Sequence, residues 1–373
     1  MALTRVAAAG LALLLAAETT TSLAAAPQVP PSAAEPVKKA PAPDLAVVER
    51  RLLEAVRAQP GSFEAHRALA TFYLGRRKLD AAIPHLQRAK AINPPDYANS
   101  YDLALALLET GKLEPARAEV TRLLAIQDTG ELHNLIGNVE ERAGRLVEAA
   151  REYEIAAHKD PTESHLFDWG NNLIQLNAFD PAEQVFSAAL ERHPQSARLN
   201  VGHGIVQYAR GQYEDAVKSF CRAADLDPAD PRAYQFLGEM YGVVPLGTDV
   251  AERFARFVKA QPRNAFAHFH YAMILWRGQS ESPPADLARV EALLKRAVTL
   301  DPKLVKALFE LGVLLSDQER YPEAIDVLRR AIALEPDQAQ AHYRLARAYQ
   351  RAGRQALAAQ ELEKFQQLKA GAR

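Results

Sequence analysis

Four histidines, His66, His133, His268 and His342, follow one another at intervals of 67, 135 and 74 residues. Imidazole is the commonest metal-binding side chain, but a site needs three or four ligands within about 2 Å of one ion. Side chains this far apart in an extended chain cannot share one, so these are read as packing residues. His268-Phe269-His270 has the form of an H-x-H pair. On a helix, however, those two histidines point to different faces, and no third ligand follows. The phosphate-cradling, dinucleotide, zinc-protease and nucleophile-elbow motifs are all absent from the chain. The single cysteine, Cys221, excludes an intramolecular disulfide. Its plain reading is a half-exposed bystander; the alternative is a thiol that pairs with another chain. No catalytic set, metal or cofactor is expected.

The elements that carry these residues are set out by proline. Pro60, Pro94, Pro161, Pro194, Pro228, Pro262, Pro302 and Pro336 are separated by 34, 67, 33, 34, 34, 40 and 34 residues. The 67-residue gap is two periods, with Asp128 where the missing proline would stand. Within each period, apolar residues recur at helical spacing in two segments. One such stretch carries His66, Leu69, Ala70 and Tyr73, then Ala82, Leu86 and Ala89, split at Gly75. A small residue recurs in the first segment: Ala70, Ala104, Gly137, Gly170, Gly204, Gly238, Ala272, Gly312 and Ala346. A second recurs early in the next segment, at Ala82, Ala116, Ala149, Ala182, Ala216, Ala324 and Ala358. Small residues at both places let two helices cross closely, with larger ones such as Tyr153, Phe186 and Phe220 filling the groove beside them.

This pattern of large residue, Leu, Gly or Ala and aromatic, followed by Ala, aromatic, Ala and Pro, resembles the tetratricopeptide repeat family. The resemblance implies an all-α fold: a right-handed superhelical solenoid of antiparallel helix pairs, about nine repeats preceded by one lone helix. Residues 45–373 are assigned to it. Repeat six departs at Val250 and Phe257, and has Pro245-Leu246-Gly247 in its internal turn. Repeat seven carries an insertion around 278–284, and repeat five has Gly202 and Gly204 inside its first helix. Repeats five to seven are therefore expected to be the softest.

By the same resemblance, two positions a turn apart on each first helix face the inner, concave side. The candidate partner-binding residues are Tyr101, Asn134, Asn138, Phe167, Asn171, Phe269, Phe309, Tyr343 and Arg347. Asparagines pair with main-chain donors and acceptors, and aromatics supply contact area at low entropic cost, a combination suited to an extended peptide. The family's carboxylate clamp is absent, because Asn134/Asn138 and Phe167/Asn171 lack its lysine.

The ends and the charge complete the expectation. In residues 1–24, Arg5 precedes an apolar run too short to span a bilayer, and Ser22-Leu23-Ala24 offers a cleavage site. That is the form of a secretory signal peptide, a plain Ala-rich tail being the alternative. Residues 25–44 are rich in proline and alanine and read as a disordered linker. Charge is balanced, 45 Lys+Arg against 46 Asp+Glu, which gives no basic face for nucleic acid. Gln360, Gln366 and Gln367 on the last helix suit a polar cap and a monomer. The expected function is a non-catalytic protein-interaction scaffold, periplasmic or secreted, with no stable membrane insertion after signal cleavage. The alternative is an assembly or chaperone factor of the cell envelope.

Overall fold

The computed structural model describes residues 44–244, 246–278 and 286–371. The expected signal peptide, the linker up to residue 43, Pro245 and the inserted residues 279–284 lie outside the described residues.

Two local signals write the repeat. Each of the first seven hairpins opens on a capping side chain that accepts a backbone N–H: Ser62, Asp96, Thr129, Thr162, Ser196, Asp230 and Asn264. In the first five hairpins and the last two, the two helices are then joined through one left-handed residue. Gly111, Gly144, Gly211 and Gly353 hold φ between 72° and 79°, which glycine adopts without steric penalty. Arg77, Asn177 and Glu319 occupy the same turn at φ 53°, 57° and 62°. The second helices starting at Leu79, Leu113, Leu146, Phe179 and Tyr213 have no side-chain cap bond.

Among the described residues these signals yield nineteen α-helices, grouped in two compact units, Met1–Pro194 and Gln195–Arg373. The first unit contains a lone helix, α1 (Leu45–Ala58), and four hairpins. These are α2 (Phe63–Leu74) with α3 (Leu79–Ile92), α4 (Tyr97–Glu109) with α5 (Leu113–Leu124), α6 (Gly130–Arg142) with α7 (Leu146–Lys159), and α8 (Glu163–Gln175) with α9 (Phe179–Arg192). The second unit has five: α10 (Ala197–Ala209) with α11 (Tyr213–Leu226), α12 (Pro231–Glu239) with α13 (Thr248–Ala260), α14 (Ala265–Met273) with α15 (Leu287–Leu300), α16 (Val305–Asp317) with α17 (Tyr321–Leu334), and α18 (Ala339–Arg351) with α19 (Gln355–Gly371). In both units each helix packs on its sequence neighbours.

The close crossing falls where the small residues stand, and its partner lies sixteen positions on. A methyl group placed on Gly137 would meet the Tyr153 ring at 2.7 Å, and one on Gly170 or Gly204 would meet Phe186 or Phe220 at 2.6 Å. Where the first helix carries alanine, the residue sixteen on is smaller: Leu86 after Ala70, Val120 after Ala104. All four of these residues are fully buried. Gly204 is therefore a packing site in a regular thirteen-residue helix, not the soft point expected of repeat five.

Repeats six and seven are irregular in backbone. Their first helices, α12 and α14, have nine α-helical residues each; a 3-10 turn (Met240–Gly242) follows the first and a π turn (Ile274–Gly278) the second. His270 from α14 fills the space beside Gly238, its Nδ1 2.9 Å from the Gly238 carbonyl oxygen. The large residues that replace alanine in repeat six fill a cavity: Phe257 stacks on Tyr234 with centroids 4.0 Å apart.

The recurring histidines hold the turns. Nε2 of His66, His268 and His342 lies 3.3, 3.2 and 2.9 Å from the carbonyl oxygens of Pro60, Pro262 and Pro336. A carbonyl only accepts, so Nε2 carries the proton and donates. Where the proline is missing, His133 Nε2 reaches Asp128 Oδ1 at 2.7 Å instead. The other ring nitrogen meets the side chain nineteen residues on: His85 at 3.1 Å, Glu152 at 2.6 Å and Glu361 at 2.6 Å. In His133 and His342 both ring nitrogens lie within hydrogen-bond distance of an oxygen.

Candidate binding cleft

In the first unit the inner positions of α2, α4, α6 and α8 enclose a cleft of about 380 Å³. Leu74, Leu79, Leu105, Ala106 and Leu135 form its apolar surface, and Tyr101, Asn134, Asn138, Asp102, Glu109, Glu131, Arg77 and His165 its polar one. The volume is at the small end of the range for ligand sites.

Three of the expected residues meet there. Tyr101 stacks on Tyr97, centroids 6.2 Å apart, and its hydroxyl donates to Glu131 Oε1 at 2.6 Å. Burial, then the bond to Glu131, raise its pKa strongly. Asn134 is 8 % exposed and donates from Nδ2 to Asp168 Oδ2 at 3.0 Å. Asn138 donates to the carbonyl oxygen and to Oδ1 of Asn134, at 3.0 and 3.1 Å, and accepts from the Tyr153 hydroxyl at 3.2 Å. The amides are thus engaged mainly with one another, and they are oriented rather than idle. One N–H of Asn134 and one lone pair of Asn138 Oδ1 have no further bond among the described residues.

Beneath this layer, Glu141 accepts from Gln175 at 3.0 Å and from Asn172 at 3.5 Å, and burial raises its pKa. The rim carboxylates differ in how they are neutralised. Asp102 pairs with Arg67 at 2.6 Å, and Glu109 pairs with Arg77 and Arg142 at 3.4 and 2.8 Å. Glu131 is exposed at the first turn of α6 and receives only the Tyr101 hydroxyl.

The remaining expected residues lie elsewhere. Phe167, Asn171 and Phe269 are each 2 % exposed. Phe167 packs edge-on against Phe186, and Phe269 belongs to the core around α15 and α16. These three build the wall behind the inner face and present no surface to a ligand. In the second unit Phe309 is partly buried against the α17–α18 core, Tyr343 lies against Phe365 with centroids 5.3 Å apart, and Arg347 is exposed. Trp276 is half-buried with Arg277 stacked 4.4 Å from its centroid, and Arg277 also pairs with Glu310 at 2.5 Å. Cys221 is buried, contrary to the half-exposed position expected, and burial pushes its thiol up to about 11.

The sequence reading missed Glu131, Asp102, Glu109, Arg77 and His165 as cleft residues. The available signal was their position: Asp102 adjoins Tyr101, Glu131 stands one turn before Asn134, and Arg77, Glu109 and His165 lie at or near the ends of the first helices.

Serial helix hairpins of this kind, with a cleft on the first helices and small residues at each crossing, define a helical-repeat interaction protein. Residues 73–139 and 167–231 match the tetratricopeptide repeat family, and residues 314–353 match a further model of the same repeat. The chain belongs to the tetratricopeptide repeat family. Among curated proteins it is 23 % identical over 290 residues to human Protein O-mannosyl-transferase TMTC3, covering 76 % of this chain and 29 % of that protein. It is 27 % identical over 117 residues to the Cytochrome c-type biogenesis protein CycH of Pseudomonas aeruginosa, covering 31 % of this chain and 28 % of that one. The chain thus spans less than a third of the length of these relatives. A solved tetratricopeptide repeat protein from Parabacteroides merdae is similar at 17 % identity and a TM-score of 0.41, covering 80 % of this chain and 99 % of that one. The repeats are those of a protein-interaction scaffold, in a family that is typically non-catalytic. No helix among the described residues is long and apolar enough to cross a membrane.

Proposed function

We propose that this protein is a non-catalytic scaffold that holds an extended protein segment against the inner faces of its first helices. The observation that carries the reading is the cleft on α2, α4, α6 and α8, where an aromatic, oriented amides and leucines face one space. Asparagine amides read a main chain, and the leucines and Tyr101 supply the apolar area that gives affinity. The mechanism is recognition on a preformed surface, with no covalent step and no cofactor. The transferase name of the human relative attaches to a protein of which this chain matches 29 %, and no catalytic role is proposed here on that basis.

The test is peptide binding by the full chain with Tyr101→Ala and Leu105→Glu. Both variants should keep far-UV helicity and lose bound peptide; unchanged binding by both would refute the cleft assignment.

We place the protein outside the cytoplasm, in the periplasm or secreted, on the form of residues 1–24. N-terminal sequencing of the mature protein should start just after Ala24, and an intact Met1 would remove the export reading. The similarity to a cytochrome c biogenesis protein over 31 % of the chain favours a second reading, an assembly factor of the cell envelope. Stoichiometric copurification with one complex would support it, and transient, varied clients would favour the simple binder.

A further inference from the structure

We infer that the cleft selects a segment carrying a lysine or arginine, whose cationic head is bound by Glu131. This deepens the proposed peptide-binding role and rests on it.

The argument starts from charge. Three carboxylates line the cleft, Asp102, Glu109 and Glu131. Two of them are neutralised by arginines of the fold: Asp102 by Arg67, Glu109 by Arg77 and Arg142. Glu131 has the Tyr101 hydroxyl at 2.6 Å and, among the described residues, no basic side chain within ion-pair distance. A hydroxyl orients a carboxylate without cancelling its charge. The bond occupies part of the acceptor capacity of Oε1 and leaves Oε2 open. Tyr101 is in turn fixed by stacking on Tyr97, so Glu131 is a positioned anion rather than a freely rotating one.

The second observation is independent of the acidic rim. Asn134 lines the same cleft, is more than nine-tenths buried, and has its amide orientation set by Asp168 and Asn138. Its remaining N–H is a donor suited to a main-chain carbonyl. A donor for the backbone, a fixed anion and a leucine-lined space between them match one kind of residue. The methylene stem of a lysine or arginine packs on Leu105 and Leu135, its head meets Glu131, and its carbonyl meets Asn134. The open side of Glu131 lies on an exposed first turn, so the head group reaches it without displacing part of the fold.

The experiment uses the full chain against a displayed library of randomised twelve-residue peptides, with Glu131→Gln and Tyr101→Phe in parallel. Enriched peptides should share a basic residue at one position. Replacing it with norleucine should weaken binding about tenfold or more, the scale of one hydrogen bond to a charged group. Glu131→Gln should abolish the preference and Tyr101→Phe should reduce it. If peptides bind and protect α4 and α6 from hydrogen exchange, but show no basic preference or keep it in Glu131→Gln, the charge inference fails and the peptide-binding role stands. If no peptide is enriched, or protection falls away from these helices, the binding role itself fails and this inference with it.

Discussion

Gly170→Ala tests the packing rule of the repeat. A methyl group there would lie 2.6 Å from Phe186 Cζ, against an ordinary contact limit of 3.4 Å, so the ring must withdraw about 0.8 Å. Phe186 is fully buried and already braced against Phe167 with centroids 6.0 Å apart. Overpacking a filled site costs about 1–3 kcal/mol, and with no open direction for the ring the upper end applies. Alanine in place of glycine returns about 1 kcal/mol of helix propensity. The net expectation is a loss of about 2 kcal/mol. A Phe186→Leu background gives this hairpin the Ala70/Leu86 pairing of the first hairpin, where both residues are fully buried with no glycine at the crossing. In that background the same substitution should be neutral or stabilising by up to about 1 kcal/mol. Urea unfolding followed by circular dichroism gives both values, and hydrogen exchange on α8 and α9 locates the change, because repeat arrays can lose stability locally. Equal costs in the two backgrounds would show that Gly170 is not where these helices need room.

Three further outcomes are expected. Cys221, buried with its thiol raised to about 11, should react with a disulfide reagent at pH 8 at least tenfold more slowly in the native protein than in denaturant; equal rates, or a disulfide-linked dimer on a non-reducing gel, would contradict its burial. His270 is held neutral by burial, its pKa lowered from 6.5 to about 4. The unfolded chain therefore takes a proton first as pH falls, and the second unit should lose on the order of 3 kcal/mol between about pH 6.5 and 4. A His270→Gln variant showing the same acid profile would refute this. His342→Ala removes the bonds to Pro336 and Glu361, which should cost about 1–3 kcal/mol and speed hydrogen exchange in α19; unaltered exchange there would mean the histidine does not fasten the last hairpin.

Much of this fold was legible because each signal recurs in most of the nine hairpins. A proline or glycine can be placed by its register, and a small residue at each crossing follows from the approach of two backbones. The sixteen-residue pairing of Gly137, Gly170 and Gly204 with an aromatic, and of Ala70 and Ala104 with an aliphatic, was also in the sequence. What the period does not contain is how neighbouring repeats cover one another. Phe167, Asn171 and Phe269 stand in the same register as Tyr101 and Asn138, yet adjoining side chains bury them. The histidines show a second limit. Their packing role was readable, but their hydrogen bonds required joining two separate features, the absent proline at Asp128 and the recurring nineteen-residue spacing that reaches Glu152. The cleft carboxylates were hidden for a related reason: a charged residue looks the same in sequence whether or not an arginine of a neighbouring repeat neutralises it.

The filling of the Gly238 space by His270 constrains how such an array can be inherited. In three hairpins the glycine and the ring it accommodates belong to the same pair of helices: Gly137 with Tyr153, Gly170 with Phe186 and Gly204 with Phe220. Such a hairpin can be duplicated, deleted or transplanted as a self-sufficient module. Repeats six and seven cannot be parted in that way. A breakpoint between them would leave a void beside one glycine and an unhoused imidazole in the next helix. The smallest unit that can be moved across this part of the protein is therefore two hairpins long, and grafts or deletions made here should respect that boundary.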